Sequence, residues 1–287
     1  MSQQPLKVCL THDIDRLHKT YQYLTHDVCK GRIRGLRTLF NGSRPYWQLD
    51  TLADLEARYD VRSTVFFLHE SIAFRPFRIS SWKLSLGRYS LYDPQVIHAI
   101  RNLHAGGWEI GLHGSYESFK SPHLLKTEKM ILEEALGHHV QGVRQHYLNH
   151  IEPDTWNYQK EAGFRYDASL GRTNGIGYSD NRIRPFHHRQ SGMFVIPLTI
   201  MDSCLFKESG GNRQKALRMA VKWMDHAQKN NCPFTILWHQ RMFNEEDFPG
   251  YRWVYEEIIK EAKVRNAEFV TCHELQKRHK SMEIADD

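Results

Sequence analysis

Leu10-Thr11-His12-Asp13-Ile14-Asp15 closes the first apolar run of the chain, which begins at Leu6. A short run of this kind reads as a buried strand. Side chains on an extended backbone alternate, so Asp13 and Asp15 point to the same side. Two carboxylates crowded at the end of a buried strand have two readings. One is a solvated turn whose Asp caps the following helix. The other is a site in which one carboxylate binds a metal and its neighbour acts as a base. The rest of the chain decides between them.

Outward from this stretch, short apolar runs alternate with helical ones. Asp50–Tyr59 is apolar near helical spacing and precedes the strand Ser63–Leu68. Pro94–His104 carries Pro at its first position, and Gly106-Gly107 stops it before the strand Trp108–Leu112. Helix Pro122–Leu136, closed by Gly137, leads to Val140–Val143, and helix Pro153–Ala162, closed by Gly163, leads to Phe164–Tyr166. Phe194–Leu198 is a further strand. Helix Lys215–Lys229 precedes the near-continuous apolar strand Phe234–Trp238. Helix Glu246–Arg265, strand Glu268–Val270 and helix His273–Lys280 complete the chain.

Strands separated by helices imply parallel pairing with right-handed crossovers. With no linker and no repeat, residues 1–287 are expected to form one α/β domain. Its architecture is expected to be a distorted (β/α)7-type barrel of mostly parallel strands. Barrels of this kind place their chemistry at the C-terminal ends of the strands. Reactive residues stand there in this chain: Asp13 and Asp15, then His113, then Arg144, His146 and Tyr147, then Asp167, and last His239.

The composition, 40% hydrophobic and 25% charged, is that of a globular protein with a large core. No run approaches the roughly eighteen apolar residues of a transmembrane helix. No basic segment followed by an apolar one marks a secretory signal at the start of the sequence. The five cysteines, Cys9, Cys29, Cys204, Cys232 and Cys272, form no CxxC pair. These features predict a reducing, cytoplasmic setting. The formal net charge is +6, concentrated in Lys30 to Arg44 and Arg182 to Arg189. Such stretches suit a phosphorylated or acidic substrate, an anionic surface, nucleic acid or simply a solvated face. No nucleic-acid-binding pattern accompanies them, so no nucleic acid partner is expected.

With these residues in order, the chain resembles the polysaccharide deacetylases of the NodB-homology type, carbohydrate esterase family 4. The family's first motif, Thr-Phe-Asp-Asp-Gly, is matched by Thr11-His12-Asp13-Ile14-Asp15 as an Asp-x-Asp variant. The resemblance implies that Asp13 is the base and Asp15 a metal ligand. The second motif, His-x-x-x-His, is matched at His113, but Glu117 occupies the second position. Four residues along a helical turn share a face, so Glu117 is the expected further ligand. The third motif, Arg-x-Pro-Tyr/Phe, appears as Arg144-Gln145-His146-Tyr147. By resemblance Arg144 holds the Asp13 carboxylate and the Tyr147 backbone N–H supports an oxyanion. His146 stands in place of Pro as a candidate ligand or sugar contact. Asp167 matches the acid that in the family orients the catalytic histidine, although it equally suits a loop cap. The last motif, Leu-x-His, is Leu237-Trp238-His239, with His239 as the general acid. His12 is carried as a further candidate ligand or substrate contact. Asp202 follows a strand towards the same face with no role attached.

The implied activity is metal-dependent hydrolysis of an N-acetyl group on an amino sugar or glycan precursor, with zinc the expected divalent ion. The carbohydrate would be phosphorylated or lipid-linked rather than mature wall polymer. Two alternatives stand beside it. One is hydrolysis of a non-sugar amide on the same fold, since both need the same water and oxyanion support. The other is a non-catalytic barrel that binds a glycan or anion, which predicts steep salt dependence and indifference to chelators.

Overall fold

A computed structural model describes residues 5–31, 37–38, 43–72 and 74–285. The basic stretch Lys30 to Arg44 therefore falls largely outside the described residues. The first strand, β1 (Lys7–Ile14), is longer than its apolar run because it continues through Thr11, His12 and Asp13. Polar residues persist in it because both faces are covered, so each finds a partner inside the protein.

Helix α1 (Leu49–Arg58) leads to β2 (Thr64–Leu68), then α2 (Ile79–Ser85), α3 (Pro94–Ala105) and β3 (Glu109–Gly114). Helix α4 (Pro122–Leu136) leads to β4 (Gly142–Gln145), and α5 (Asp154–Glu161) to β5 (Tyr166–Asp167). Three two-residue strands follow: β6 (Phe186–His187), β7 (Phe194–Val195) and β8 (Ile200–Met201). The chain closes with α6 (Asp202–Glu208), α7 (Arg213–Lys229), β9 (Phe234–Leu237), α8 (Tyr251–Val264), β10 (Glu268–Phe269) and α9 (Cys272–Ala285). Side-chain caps start four of these helices: Asp93 on α3, Ser121 on α4, Asn212 on α7 and Thr271 on α9 each accept a backbone N–H of the first turn.

The strands form one curled sheet in the order β6-β7-β5-β4-β3-β2-β1-β9-β8, with β10 against β1. Every pairing is parallel except β6 with β7. The architecture is thus a distorted barrel of mostly parallel strands. Its convex face packs on the helices through Val8, Leu10 and Ile14 of β1, which belong to the main apolar core. Its concave face begins with a second cluster of Cys9, Phe66, Tyr166 and Phe194. Above that floor the lining turns polar, from Thr11 through Asp13 to Asp15. Gly142 is required where it stands: a β-carbon there would lie 1.8 Å from the Tyr166 ring, which crosses the barrel interior.

Several short elements have no signature in the sequence pattern. Two-residue strands cannot show alternation, so β6 and β8 carry no period. Helix α2 lies between Arg75 and Tyr92, a stretch that reads from the sequence as a long loop.

Candidate active site

The C-terminal ends of β1, β3 and β4 deliver three buried donors to one point. Asp15 lies one residue beyond β1, His113 lies within β3, and His146 directly follows β4. Asp15 Oδ1 stands 3.2 Å from His113 Nε2 and 3.5 Å from His146 Nδ1. The two imidazole nitrogens are 3.0 Å apart.

The chemistry of these atoms fits a divalent metal. His113 Nδ1 lies 2.9 Å from the Arg144 carbonyl, so it carries the proton and donates it there. Burial lowers the His113 pKa, but Asp13 and Asp15 raise it above the ordinary histidine value; a divalent ion would displace the Nε2 proton and take that lone pair, which faces the cluster. Burial, the dominant influence, pushes His146 down to about 3 against the pull of Asp15, so its ring is neutral. Burial opposes ionisation of Asp15, but His239, Arg241 and His113 hold it well below the usual carboxylate range. Asp15 Oδ1 is buried and has no hydrogen-bond partner among the described residues. An orphaned carboxylate oxygen beside two convergent imidazole nitrogens is a donor set that could hold a divalent cation. Zinc bonds of about 2.0–2.1 Å in a tetrahedron would separate ligand atoms by roughly 3.3 Å. The three observed separations, 3.0, 3.2 and 3.5 Å, bracket that value.

Asp13 flanks the cluster on one side. Arg144 Nη1 donates to Asp13 Oδ1 at 3.0 Å and to Thr11 Oγ1 at 2.6 Å, while its Nε donates to the Ala168 carbonyl at 2.9 Å. The guanidinium also lies over the Phe66 ring, 4.6 Å from its centroid. Arg144 is fully buried and its direction is fixed from three sides. The other carboxylate oxygen of Asp13 is 3.7 Å from His113 Nε2.

His239 flanks the other side, with Nε2 3.5 Å from Asp15 Oδ2. Its Nδ1 sits 2.9 Å from Asp202, and its backbone N–H donates to the same carboxylate at 2.6 Å. Burial alone would lower the His239 pKa, but Asp202, with a contribution from Asp15, raises it above the ordinary histidine value. Asp202, the first residue of α6, is therefore the histidine's orienting acid. The sequence offers the acid but not the pairing, which spans 37 positions and depends on β8 lying beside β9.

Asp167, the candidate for that role, does something else. Its carboxylate accepts from Trp156 Nε1, Gln159 Nε2, and both the backbone N–H and hydroxyl of Ser169. Ser169 Oγ in turn accepts the Gln145 N–H at 2.9 Å. Asp167 thus braces the turn carrying His146 and makes no contact with His239.

Glu117 also stands apart. Its carboxylate pairs with Lys120 at the surface, 43% exposed, while the three convergent donors are buried. The chain after Gly114 turns outward before Glu117, so no helical turn carries it back to His113. His146 occupies the place that spacing offered to Glu117. His12 faces the opposite way from Asp13, as strand alternation dictates. Its ring bonds the Trp238 carbonyl, Glu56 and Tyr255 behind the sheet, at 2.7, 2.8 and 3.0 Å. It is a core residue and reaches neither metal nor substrate.

Tyr147 and Leu148 both adopt left-handed backbone, with φ of 59° and 55°. Side chains of this size avoid that region, and such outliers gather at functional sites. The turn places His146 into the cluster and leaves the Tyr147 ring half exposed at the mouth. Asp13, Asp15, His113, His146, Tyr147 and His239 all line a single cavity of about 370 Å³.

No protein-family model matches the chain, and no curated protein matches it in sequence. Solved structures do match its fold. One is a provisionally assigned polysaccharide deacetylase from Mycobacterium smegmatis, with TM-score 0.64 and 16% identity over 98% of this chain and 92% of that one. Another is the Xyl-CE4 domain of a multidomain xylanase from the hindgut metagenome of Trinervitermes trinervoides, with TM-score 0.51 and 12% identity over 96% and 92%. The chain has the fold of the polysaccharide deacetylases.

Proposed function

We propose that this protein is a divalent-metal-dependent hydrolase that removes an N-acetyl group from an amino sugar or a small glycan precursor. The observation that carries the reading is the convergence of Asp15, His113 and His146, with Asp13–Arg144 on one flank and His239–Asp202 on the other. Asp15 Oδ1, His113 Nε2 and His146 Nδ1 would hold the ion. Zinc bound there would supply Lewis acidity toward the acyl oxygen and make a water acidic near neutral pH.

The remaining work belongs to the chain's own groups. Asp13, fixed by Arg144, takes the proton of the attacking water as its oxygen bonds the acyl carbon. The backbone N–H of Tyr147 is the candidate donor to the developing oxyanion. His239 Nε2 stands 3.5 Å from Asp15 Oδ2. Asp202 fixes the proton on its Nδ1 side and favours the imidazolium, so Nε2 can deliver a proton to the departing nitrogen. The C–N bond breaks, releasing acetate and a free amine.

The test is acetate release from N-acetylated amino sugars by zinc-loaded protein, beside Asp13→Asn and His239→Ala variants whose metal content matches the parent. Loss of at least about a hundredfold is expected in each, as for removal of a general acid or base. Undiminished turnover in either variant would reject the assignment of roles.

A further inference from the structure

The deacetylase reading gives no substrate role to the two arginines that line the cavity, Arg16 and Arg241. Neither is a surface cation. Arg16 is 9% exposed, and its Nη2 donates to the Lys83 carbonyl at 2.8 Å and its Nη1 to the Leu86 carbonyl at 3.4 Å. Its guanidinium lies over the Tyr21 ring, 5.3 Å from the centroid. Gln240 bonds the Arg16 carbonyl, so the residue is held at both ends. Arg241 donates through Nη1 to Asp15 Oδ2 at 2.5 Å, its one side-chain hydrogen bond among the described residues. The residue lines the cavity. Both charges act on the Tyr46 and Tyr147 phenols, lowering their pKa values against the burial that raises them, so the two guanidiniums share one space.

Charge balance gives these residues a purpose. In and directly behind the cavity, the carboxylates Asp13, Asp15, Asp27, Asp202 and Asp247 stand against the cations Arg144, Arg16, Arg241 and Lys19. A divalent cation on Asp15, His113 and His146 then tips this balance to net positive in a confined space. A neutral N-acetyl sugar would leave that excess standing, whereas an oxyanion on the substrate would remove it. Planar guanidiniums bind carboxylate and phosphate in a fork, through paired hydrogen bonds. At about 370 Å³ the cavity lies near the small end of ligand pockets, which span about 300–1,000 Å³. It suits one sugar unit rather than a stretch of polymer.

We propose that the substrate is a monosaccharide-sized N-acetyl compound that itself carries an oxyanion, bound by Arg16 and Arg241. The proposal rests on the deacetylase reading for the acyl group and adds the recognition of the anion.

Calorimetric titration tests it, with zinc-loaded Asp13→Asn protein to prevent turnover. The ligands are N-acetylmuramate for a carboxylate, N-acetylglucosamine 6-phosphate for a phosphate, and neutral N-acetylglucosamine. At least one anionic ligand should bind tenfold or more tighter than the neutral sugar, and which one does so identifies the oxyanion. Adding Arg16→Gln should reduce that preference to within about threefold without changing the Kd of the neutral sugar, and Arg16→Lys should restore part of it. Arg241→Gln should do the same at unchanged zinc content. Equal affinity for all three ligands overturns the proposal, and so does an Arg16→Gln protein that loses all three alike. Acetate release by the parent protein separates the two readings. Arginine-dependent preference with no acetate from any ligand would refute deacetylation and leave the anion site standing. Acetate released equally from neutral and anionic compounds would do the reverse.

Discussion

Replacing His146 by alanine should cost the protein most of its affinity for zinc, while replacing Glu117 should not. The two residues compete for one role, because sequence spacing favours Glu117 and the folded arrangement favours His146. A four-ligand zinc site binds with roughly 10–16 kcal/mol, so one ligand is worth on the order of 3–4 kcal/mol. At about 1.4 kcal/mol per decade, His146→Ala should raise the zinc Kd by about a hundredfold to a thousandfold. His146 Nδ1 is 3.0 Å from His113 Nε2, and its loss leaves Asp15 Oδ1 with one nitrogen partner instead of two. Glu117 pairs at the surface with Lys120, so Glu117→Ala should change the Kd by less than about twofold, as exposed pairs contribute little. Competition against a chromophoric chelator at fixed pH measures both. A large loss in Glu117→Ala with His146→Ala unaffected would refute the assignment of the third ligand.

Asp202→Asn should lower acetate release at least about tenfold at unchanged zinc content, because the neutral amide no longer favours the His239 imidazolium; unaltered turnover would remove Asp202 from the machinery. Glu128 is buried beneath the Ser115 N–H, and burial pushes its carboxyl up to about 8. Its folded pKa lies above the unfolded value, so its neutral form is favoured in the fold and stability is lost as pH rises from about 4.5 through about 8. Glu128→Gln should therefore match the parent near pH 4.5 and exceed it near pH 8 by a few kcal/mol, at about 1.4 kcal/mol per unit. Thermal melts across that range at fixed zinc would expose the error as a difference independent of pH. Gly142→Ala should destabilise by at least ~2 kcal/mol, because the new methyl meets the Tyr166 ring at 1.8 Å in a filled interior. An unshifted denaturant midpoint would contradict that packing.

The sequence carried the frame of this site because strand alternation is local. Asp13 and Asp15 share a face in any extended backbone, and the same rule turns His12 away towards Glu56 and Tyr255. Applied strictly, that parity alone excludes His12 from the site. Arg144, His113 and His239 were also legible, since each ends or follows an apolar strand. What stayed hidden depended on distant neighbours. Asp202 reaches His239 only because the two-residue β8 lies beside β9, and no pattern marks so short a strand. Glu117 ranked above His146 in the sequence because spacing along a helical turn assumes a helix that the chain after β3 does not form there. Asp167 sits at a strand end like its neighbours, yet Trp156, Gln159 and Ser169 satisfy its carboxylate before His239 can.

On the proposed reading, drawing the third ligand from the end of β4 would separate metal binding from the loop between β3 and α4. In a motif that takes two histidines from one turn, the length and shape of that turn are fixed by the ion. Here the ligand spacing is set by strands in register, His113 opposite Arg144. On the proposed reading the surface segment around Glu117 carries no ligand, so a change of length or shape there would leave the three convergent donors in place.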